Sequence, residues 1–249
     1  MSVEVARVPV VWRLGRVARV VEETERARTL ELTVPEWPGH LAGQHLDLRL
    51  TAEDGYQAQR SYSIASAPEH PALALTVERI DDGEVSPYLV DEVRAGDEIE
   101  LRGPVGGYFT WQVRDGGPLL LVAGGSGLVP LMAMLRHRAA RASSVDARLL
   151  VSARSPADVL YREELARLAG GDGVAVHQTL TREQPAGWTG FARRIDAEML
   201  AAVGPPPEAE PRIYVCGPTA FVERAADLLV ALGHDQAAIR AERFGPTGG

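Results

Sequence analysis

The stretch Gln59-Arg60-Ser61-Tyr62-Ser63-Ile64-Ala65-Ser66 has the residue types to hold a phosphorylated, ring-bearing ligand. Arg, Tyr and Ser alternate in it, and a strand with that alternation is expected to present a cation, an aromatic plane and a hydroxyl on one face. A dinucleotide flavin needs those three groups: charge for its pyrophosphate, a flat apolar surface for its ring, and a hydrogen bond near its reactive nitrogen. The plainer alternative is an amphipathic strand with a polar outer face. Further on, Gly83-Glu84-Val85-Ser86-Pro87 places Ser at the N-cap and Pro at N1 of a short helix, where free backbone N–H groups and the helix dipole favour an anion. Ser-Pro is a common helix opening and most such openings bind nothing. This one draws its weight from following Arg60.

Two later stretches carry chemistry of another kind. Leu119 to Pro130 runs from an apolar strand into Gly124-Gly125-Ser126-Gly127 and then a helix, the placement of a dinucleotide-binding turn. Glycines permit the tight turn and let a diphosphate approach the backbone, and Pro130 stands where the usual fingerprint ends in glycine and can begin the helix. Cys216-Gly217-Pro218 follows the apolar run Ile213 to Val215 and precedes a helical pattern from Thr219. That is the edge at which open parallel sheets bind ligands. Cys216 is therefore a site candidate, although a lone Cys is ordinarily a small buried residue.

The elements that must position these residues fall into two classes. Short alternating segments fill the first half: Trp12 to Val21, Thr29 to Val34, His45 to Leu50, Gln59 to Ala65, Leu73 to Arg79 and Glu98 to Leu101. With one helical stretch, Pro87 to Val93, they predict a small antiparallel barrel. After Asp115-Gly116-Gly117-Pro118 the pattern changes. Strand-like runs Leu119 to Ala123, Ala147 to Val151, Val174 to Leu180 and Ile213 to Cys216 alternate with helical patterns at Pro130 to Ala140, Asp158 to Leu168, Asp196 to Val203 and Phe221 to Leu232. That alternation predicts a parallel, Rossmann-like α/β sheet. The expected division is residues 1–114 and 115–249, and 249 residues suit two domains with a core each.

Composition narrows the function classes. The net charge of -8 argues against a nucleic-acid partner, and no apolar run approaches the length a membrane span requires. Every basic residue is Arg, a bias we read as codon usage. Met1 to Val11 lacks the layout of a secretory leader, so a cytoplasmic location is expected. The single cysteine, Cys216, rules out a Cys-rich zinc site or a four-thiolate iron–sulfur cluster within the chain. Electrons crossing it need an organic cofactor.

Taken in order, Arg-x-Tyr-Ser, Gly-x-x-Ser, Gly-Gly-x-Gly-x-x-Pro, Cys-Gly-Pro and a terminal Glu-x-Phe resemble the ferredoxin–NADP reductase family over nearly the whole chain. The resemblance implies a barrel that binds FAD and a second domain that binds NAD(P)H. It implies that Arg60 pairs with the pyrophosphate, Tyr62 packs on the flavin ring, and Ser63 hydrogen-bonds near N5, with Ser61 and Ile64 in the same cofactor-binding motif. Gly83, Val85 and Ser86 would hold the pyrophosphate from the other side. Gly124, Gly125, Ser126, Gly127 and Pro130 would face the nicotinamide nucleotide with Gly217 and Pro218. Cys216 would lie beside the nicotinamide, and Glu242 and Phe244 near the flavin, so that Ser63, Cys216 and Glu242 line the transfer site. Ser126 stands where Thr is more usual, and Phe244 replaces a terminal Tyr and is followed by Gly245-Pro246-Thr247-Gly248-Gly249.

For the coenzyme, Val151-Ser152-Ala153-Arg154 offers no acid for the ribose hydroxyls, and Thr181-Arg182 resembles the pair that NADP-dependent relatives place on the 2′-phosphate. NADPH is the expected donor, with NADH the alternative and a solvated surface Arg182 the plainer reading. The expected acceptor is an external electron-transfer protein or metalloenzyme. Two rivals stand beside this: a flavin reductase that releases reduced flavin, and a catalytically silent nucleotide-binding module.

Overall fold

The structure, a computed structural model, describes residues 10–171 and 173–245. Most of the amino-terminal stretch read for a leader, and residues 246–249 of the tail, lie outside them. Most strands of the first half alternate apolar with polar residues and send their larger buried side chains to one core, while β5 is buried almost throughout. These are β1 (Trp12–Thr24), β2 (Ala27–Thr33), β3 (His45–Thr51), β4 (Gln57–Ser63), β5 (Leu73–Glu78) and β6 (Glu98–Val105). They pair antiparallel in the order β4-β3-β6-β1-β2-β5. Leu30, Leu32, Leu46, Leu48, Leu75 and Leu101 fill the interior, and α1 (Ser86–Asp91) covers it with Leu89 and Val90. The two end strands meet only where Ile64 bridges to Leu75 and the Ala65 N–H donates to Ala74 O at 2.7 Å. The barrel closes there and leaves the rest of the outer edge of β4 unpaired with another strand.

The second half is a five-stranded parallel sheet. Its strands are β7 (Leu119–Gly124), β8 (Ala147–Ala153), β9 (Val174–Leu180), β10 (Arg212–Pro218) and β11 (Ile239–Phe244), in the order β11-β10-β7-β8-β9. Every residue of β7 is buried, as a central strand covered on both faces requires. The helices are α2 (Leu128–Ala140), α3 (Arg162–Ala169), α4 (Ala197–Val203) and α5 (Thr219–Ala231).

Three local expectations are corrected. The helix expected from Asp158 begins only at Arg162, because Ser155 and Asp158 close a capping box around a single 3-10 turn, Pro156–Asp158, and the chain leaves it extended at Val159. Pro130 does not begin its helix. α2 starts at Leu128, and Pro130 falls in its first turn, where a missing N–H is harmless. The last strand, β11, was not expected from the sequence at all.

The two halves share a core. Ala27, Ala42, Ala65 and Ala74 of the barrel lie in one apolar cluster with Leu128, Met132 and Leu135 of α2. Arg136 donates to Ala65 O at 2.7 Å and to Glu164. Tyr161, fully buried, reaches from the second half to the Thr76 hydroxyl of β5, while its backbone N–H donates to Glu23 at 3.3 Å.

Candidate active site

The open edge of β4 carries Arg60, Tyr62 and Ser63, the barrel residues expected to bind a ligand. Arg60 Nη2 donates to Glu84 Oε2 at 2.8 Å, so β4 and the loop before α1 face each other across this seam. The strand's residues do not share one face, which corrects the expectation for Arg, Tyr and Ser. Tyr62 packs on the barrel core on the side of Ala58 and Ile64, and burial pushes its phenol up. Ser61 turns the other way and donates to Asp47 Oδ1 at 2.6 Å. Burial opposes ionisation of Asp47, but hydrogen bonds from Ser61 and Arg102 outweigh it and hold the carboxyl below its usual range. Strand alternation gives each set its own face, so Arg60 and Tyr62 share one side and Ser61 and Ser63 the other.

Ser63 is paired across the strands with His45, a residue that sequence reasoning missed. The His45 ring lies against Gly106, and burial holds its imidazole below the usual range despite Asp47 nearby. Only the strand register places it at the site, so no local motif could have found it. The Ser86 expectation also changes. Val85 is the N-cap, and no side chain caps the helix. The buried Ser86 hydroxyl accepts from the Ile80 N–H at 3.0 Å, folding the Ile80–Gly83 turn against α1.

In the parallel sheet, strand order reverses between β7 and β10, the switch point at which such sheets hold ligands. A Cβ on Gly127 would stand 2.1 Å from the Cys216 carbonyl oxygen. On Gly124 it would meet the Phe221 ring at 2.8 Å, and on Gly217 it would meet that ring at 2.8 Å and Gly124 Cα at 3.2 Å. Gly127 and Gly217 therefore let the two turns pack backbone on backbone, and Gly124 makes room for the Phe221 ring, which differs from the expected role of admitting a diphosphate. Gly125 is the exception. Its φ of +55° favours glycine and its Cβ direction opens on free space. With half-buried Ser126 beside it, that opening can accept a dinucleotide.

The register of β10 and β11 places Cys216 beside Glu242 and Pro218 beside Phe244. Cys216 is 3% exposed, and burial followed by the Glu242 charge pushes its thiol up, so it is a neutral, close-packed side chain and not a nucleophile. Burial pushes the Glu242 carboxyl up to about 7. A carboxyl titrating near neutrality can hold or release a proton. Phe244 is exposed at the end of the sheet edge. The two halves of the site meet because the Gly125–Gly127 turn lies against β5, the strand bridged to Ile64 next to Ser63.

Arg154 and Arg182 lie on the same sheet edge at the ends of β8 and β9, since the Arg182 N–H donates to Arg154 O at 2.8 Å. Both are exposed. Thr181 spends its hydroxyl proton on Ala153 O at 3.2 Å, leaving it only acceptor capacity toward a ligand.

Residues 14–110 match the oxidoreductase FAD-binding domain family, and residues 121–227 the oxidoreductase NAD-binding domain family. Among similar proteins, the glycine betaine monooxygenase reductase subunit of Pseudomonas aeruginosa is 33% identical over 239 residues, 94% of this chain, and this chain spans 64% of its length. Ferredoxin–NADP reductase B of Sorangium cellulosum is 33% identical over 213 residues, covering 82% of this chain and 84% of the relative. The crystal structure of an Amycolatopsis cytochrome P450 reductase superposes with a TM-score of 0.83 at 27% identity, over 96% of this chain and 72% of that one. With both halves matched in order and a relative aligned over most of its own length, the chain belongs to the ferredoxin–NADP reductase family of FAD- and NAD(P)-binding oxidoreductases.

Proposed function

We propose that this chain draws electrons from a reduced nicotinamide dinucleotide through FAD and delivers them to a separate redox protein. FAD, when bound, accepts a hydride from the nicotinamide and can pass the electrons on singly. The chain's residues bind and orient. Arg60 holds the pyrophosphate from the β4 side, with the Ser86 hydroxyl and the Gly83–Val85 backbone opposite it. Tyr62 gives the ring a flat apolar support, Ser63 offers a hydrogen bond at its reactive edge, and Ile64, whose N–H donates to Gln44 O at 2.9 Å, anchors the strand end beside it. Gly125 and Ser126 receive the nicotinamide dinucleotide on the turn that Gly124, Gly127, Gly217 and Pro218 make rigid, and Pro130 stiffens the helix behind it. Neutral Cys216 excludes water at the transfer site, and Glu242 holds a proton there. Positioning is the main contribution to rate. The observation that carries this reading is the placement of the Gly125–Gly127 turn against β5, which brings the two binding regions together.

Cys216 alone cannot hold a cluster, which supports an acceptor outside these residues. The similarity to a monooxygenase reductase subunit and a cytochrome P450 reductase supports an oxygenase or its small electron carrier as that acceptor. We place the reaction in the cytoplasm, where the reduced nicotinamide pool is held. No helix among the described residues is long and apolar enough to cross a membrane. We divide the domains after residue 114, between the end of β6 at Val105 and the start of β7 at Leu119. NADPH is the proposed donor, with Arg182 and Arg154 supplying charge at the 2′-phosphate.

The test is direct. The purified chain should carry FAD and not FMN, bleach anaerobically with NADPH and reduce ferricyanide. It should reduce cytochrome c efficiently only when a small redox protein is added. Arg60→Ala should weaken FAD binding about tenfold to a hundredfold. Bound FMN, or undiminished FAD affinity in Arg60→Ala, would remove the barrel assignment. Fast cytochrome c reduction by the chain alone would remove the external carrier.

A further inference from the structure

Glu84 stands on the same seam, and the roles above leave it without one. Both of its carboxylate oxygens are engaged: Arg60 donates to Oε2 at 2.8 Å and the Tyr56 hydroxyl donates to Oε1 at 2.7 Å. Tyr56 immediately precedes β4, Arg60 lies within it, and Glu84 belongs to the loop before α1, so these contacts bridge the open edge of β4. The Tyr56 hydroxyl first, and Arg60 second, hold Glu84 below the usual carboxylate range. It is an anion at neutral pH, seated on the guanidinium assigned to the pyrophosphate. Arg60 is turned further along the strand by its second terminal nitrogen, which donates to Gln59 O at 2.7 Å.

We propose that Glu84 is a built-in competitor for Arg60, so that the FAD pyrophosphate must displace its carboxylate and the flavin is held less tightly than Arg60 alone would hold it. The inference rests on the reading that Arg60 binds the pyrophosphate. Carboxylate and phosphate compete for the same guanidinium, and Glu84 already takes its Nη2 while Nη1 donates to Gln59 O. Once displaced, Glu84 still faces the pyrophosphate as a like charge. The side chains of Arg60 and Glu84 are 52% and 48% exposed, so salt screens that repulsion, and the pair adds little to the stability of the fold. Glu84 thereby sets how readily flavin exchanges from the seam.

The experiment titrates apoprotein with FAD by quenching of flavin fluorescence, with inorganic pyrophosphate as a second probe. Glu84→Gln keeps the size and hydrogen-bonding capacity of the side chain and removes its charge. It is expected to bind FAD about threefold to tenfold tighter than wild type. Pyrophosphate should compete more effectively, the gain should shrink as salt rises, and melting without ligand should stay near wild type. Glu84→Ala should move in the same direction if the Gln variant folds poorly. Equal or weaker FAD binding in the folded variant overturns the proposal, because a carboxylate that contacts FAD productively gives that result. Arg60→Ala separates the two levels. If it binds FAD normally, the pyrophosphate reading falls and the competition with it. If it loses FAD while Glu84→Gln gains nothing, only the competition falls.

Discussion

Along the barrel seam, Arg60, Glu84 and Tyr56 are exposed side chains joined by charge and hydrogen bonds. At the ends of β7 and β10 the contacts are backbone on backbone, with Gly127 pressed on the Cys216 carbonyl and Gly124 on Gly217. On the function proposed above, the two regions address the same kind of ligand, a dinucleotide, by different means. A site made of flexible side chains can change its affinity by small steps, since each exposed group rearranges at little cost. A site made by close-packed backbone has no small steps, because a backbone carbonyl cannot move aside without moving its strand.

Gly127→Ala should therefore have the largest effect. The new Cβ would lie 2.1 Å from the Cys216 oxygen and 2.4 Å from its carbonyl carbon. A destabilisation of about 3 kcal/mol or more is expected, read as a loss of several degrees in Tm. Gly125→Ala is the control, since it meets open space and incurs only the strain of its φ of +55°, about 1 kcal/mol. If both variants melt alike, the contrast between backbone and side-chain construction is broken.

Glu242→Gln comes next, and it tests whether the backbone-built region also tunes a proton. In the folded state the carboxyl lies at about 7, above its ordinary value of 4.5. A raised acid stabilises the fold below its unfolded pKa and loses that contribution as pH rises through the folded one. Between about pH 4.5 and 7 the cofactor-free wild type should thus lose stability that Glu242→Gln retains, a difference of about 1 to 3 kcal/mol by pH 8. Parallel stability curves for the two proteins would mean that Glu242 is solvated in the folded chain.

The smallest expected effect is on the coenzyme. Arg182→Ala should lower the ratio of kcat/KM for NADPH over NADH about tenfold. A wild type that prefers NADH, or a ratio that the substitution leaves unchanged, would return Arg182 to the solvent.

Ten of the eleven strands could be read from the sequence, because most keep an alternating pattern or an apolar run bounded by turn residues. β11 could not: Ile239-Arg240-Ala241-Glu242-Arg243-Phe244 is half charged, and it becomes a strand only because β10 offers it a parallel edge. Most motif residues could be named but not their neighbours. His45 reaches Ser63 through register, and Ser86 is occupied by an amide six residues earlier in the chain. The glycines were legible as glycines, but whether each faces a ligand or another backbone depends on packing between turns about ninety residues apart, which no local pattern carries.

The alanines that the barrel contributes to the shared core have a consequence for how the molecule comes apart. Ala27, Ala42, Ala65 and Ala74 give α2 a shallow surface to lie on, and Tyr161 and Arg136 fasten it with bonds into β5 and to Ala65. Each half thus buries apolar area on the other in addition to the cluster it holds alone, so the two are expected to unfold together. Calorimetry should show one endotherm for the whole chain, and nicking the segment between residues 105 and 119 should leave two fragments that stay associated until they melt together.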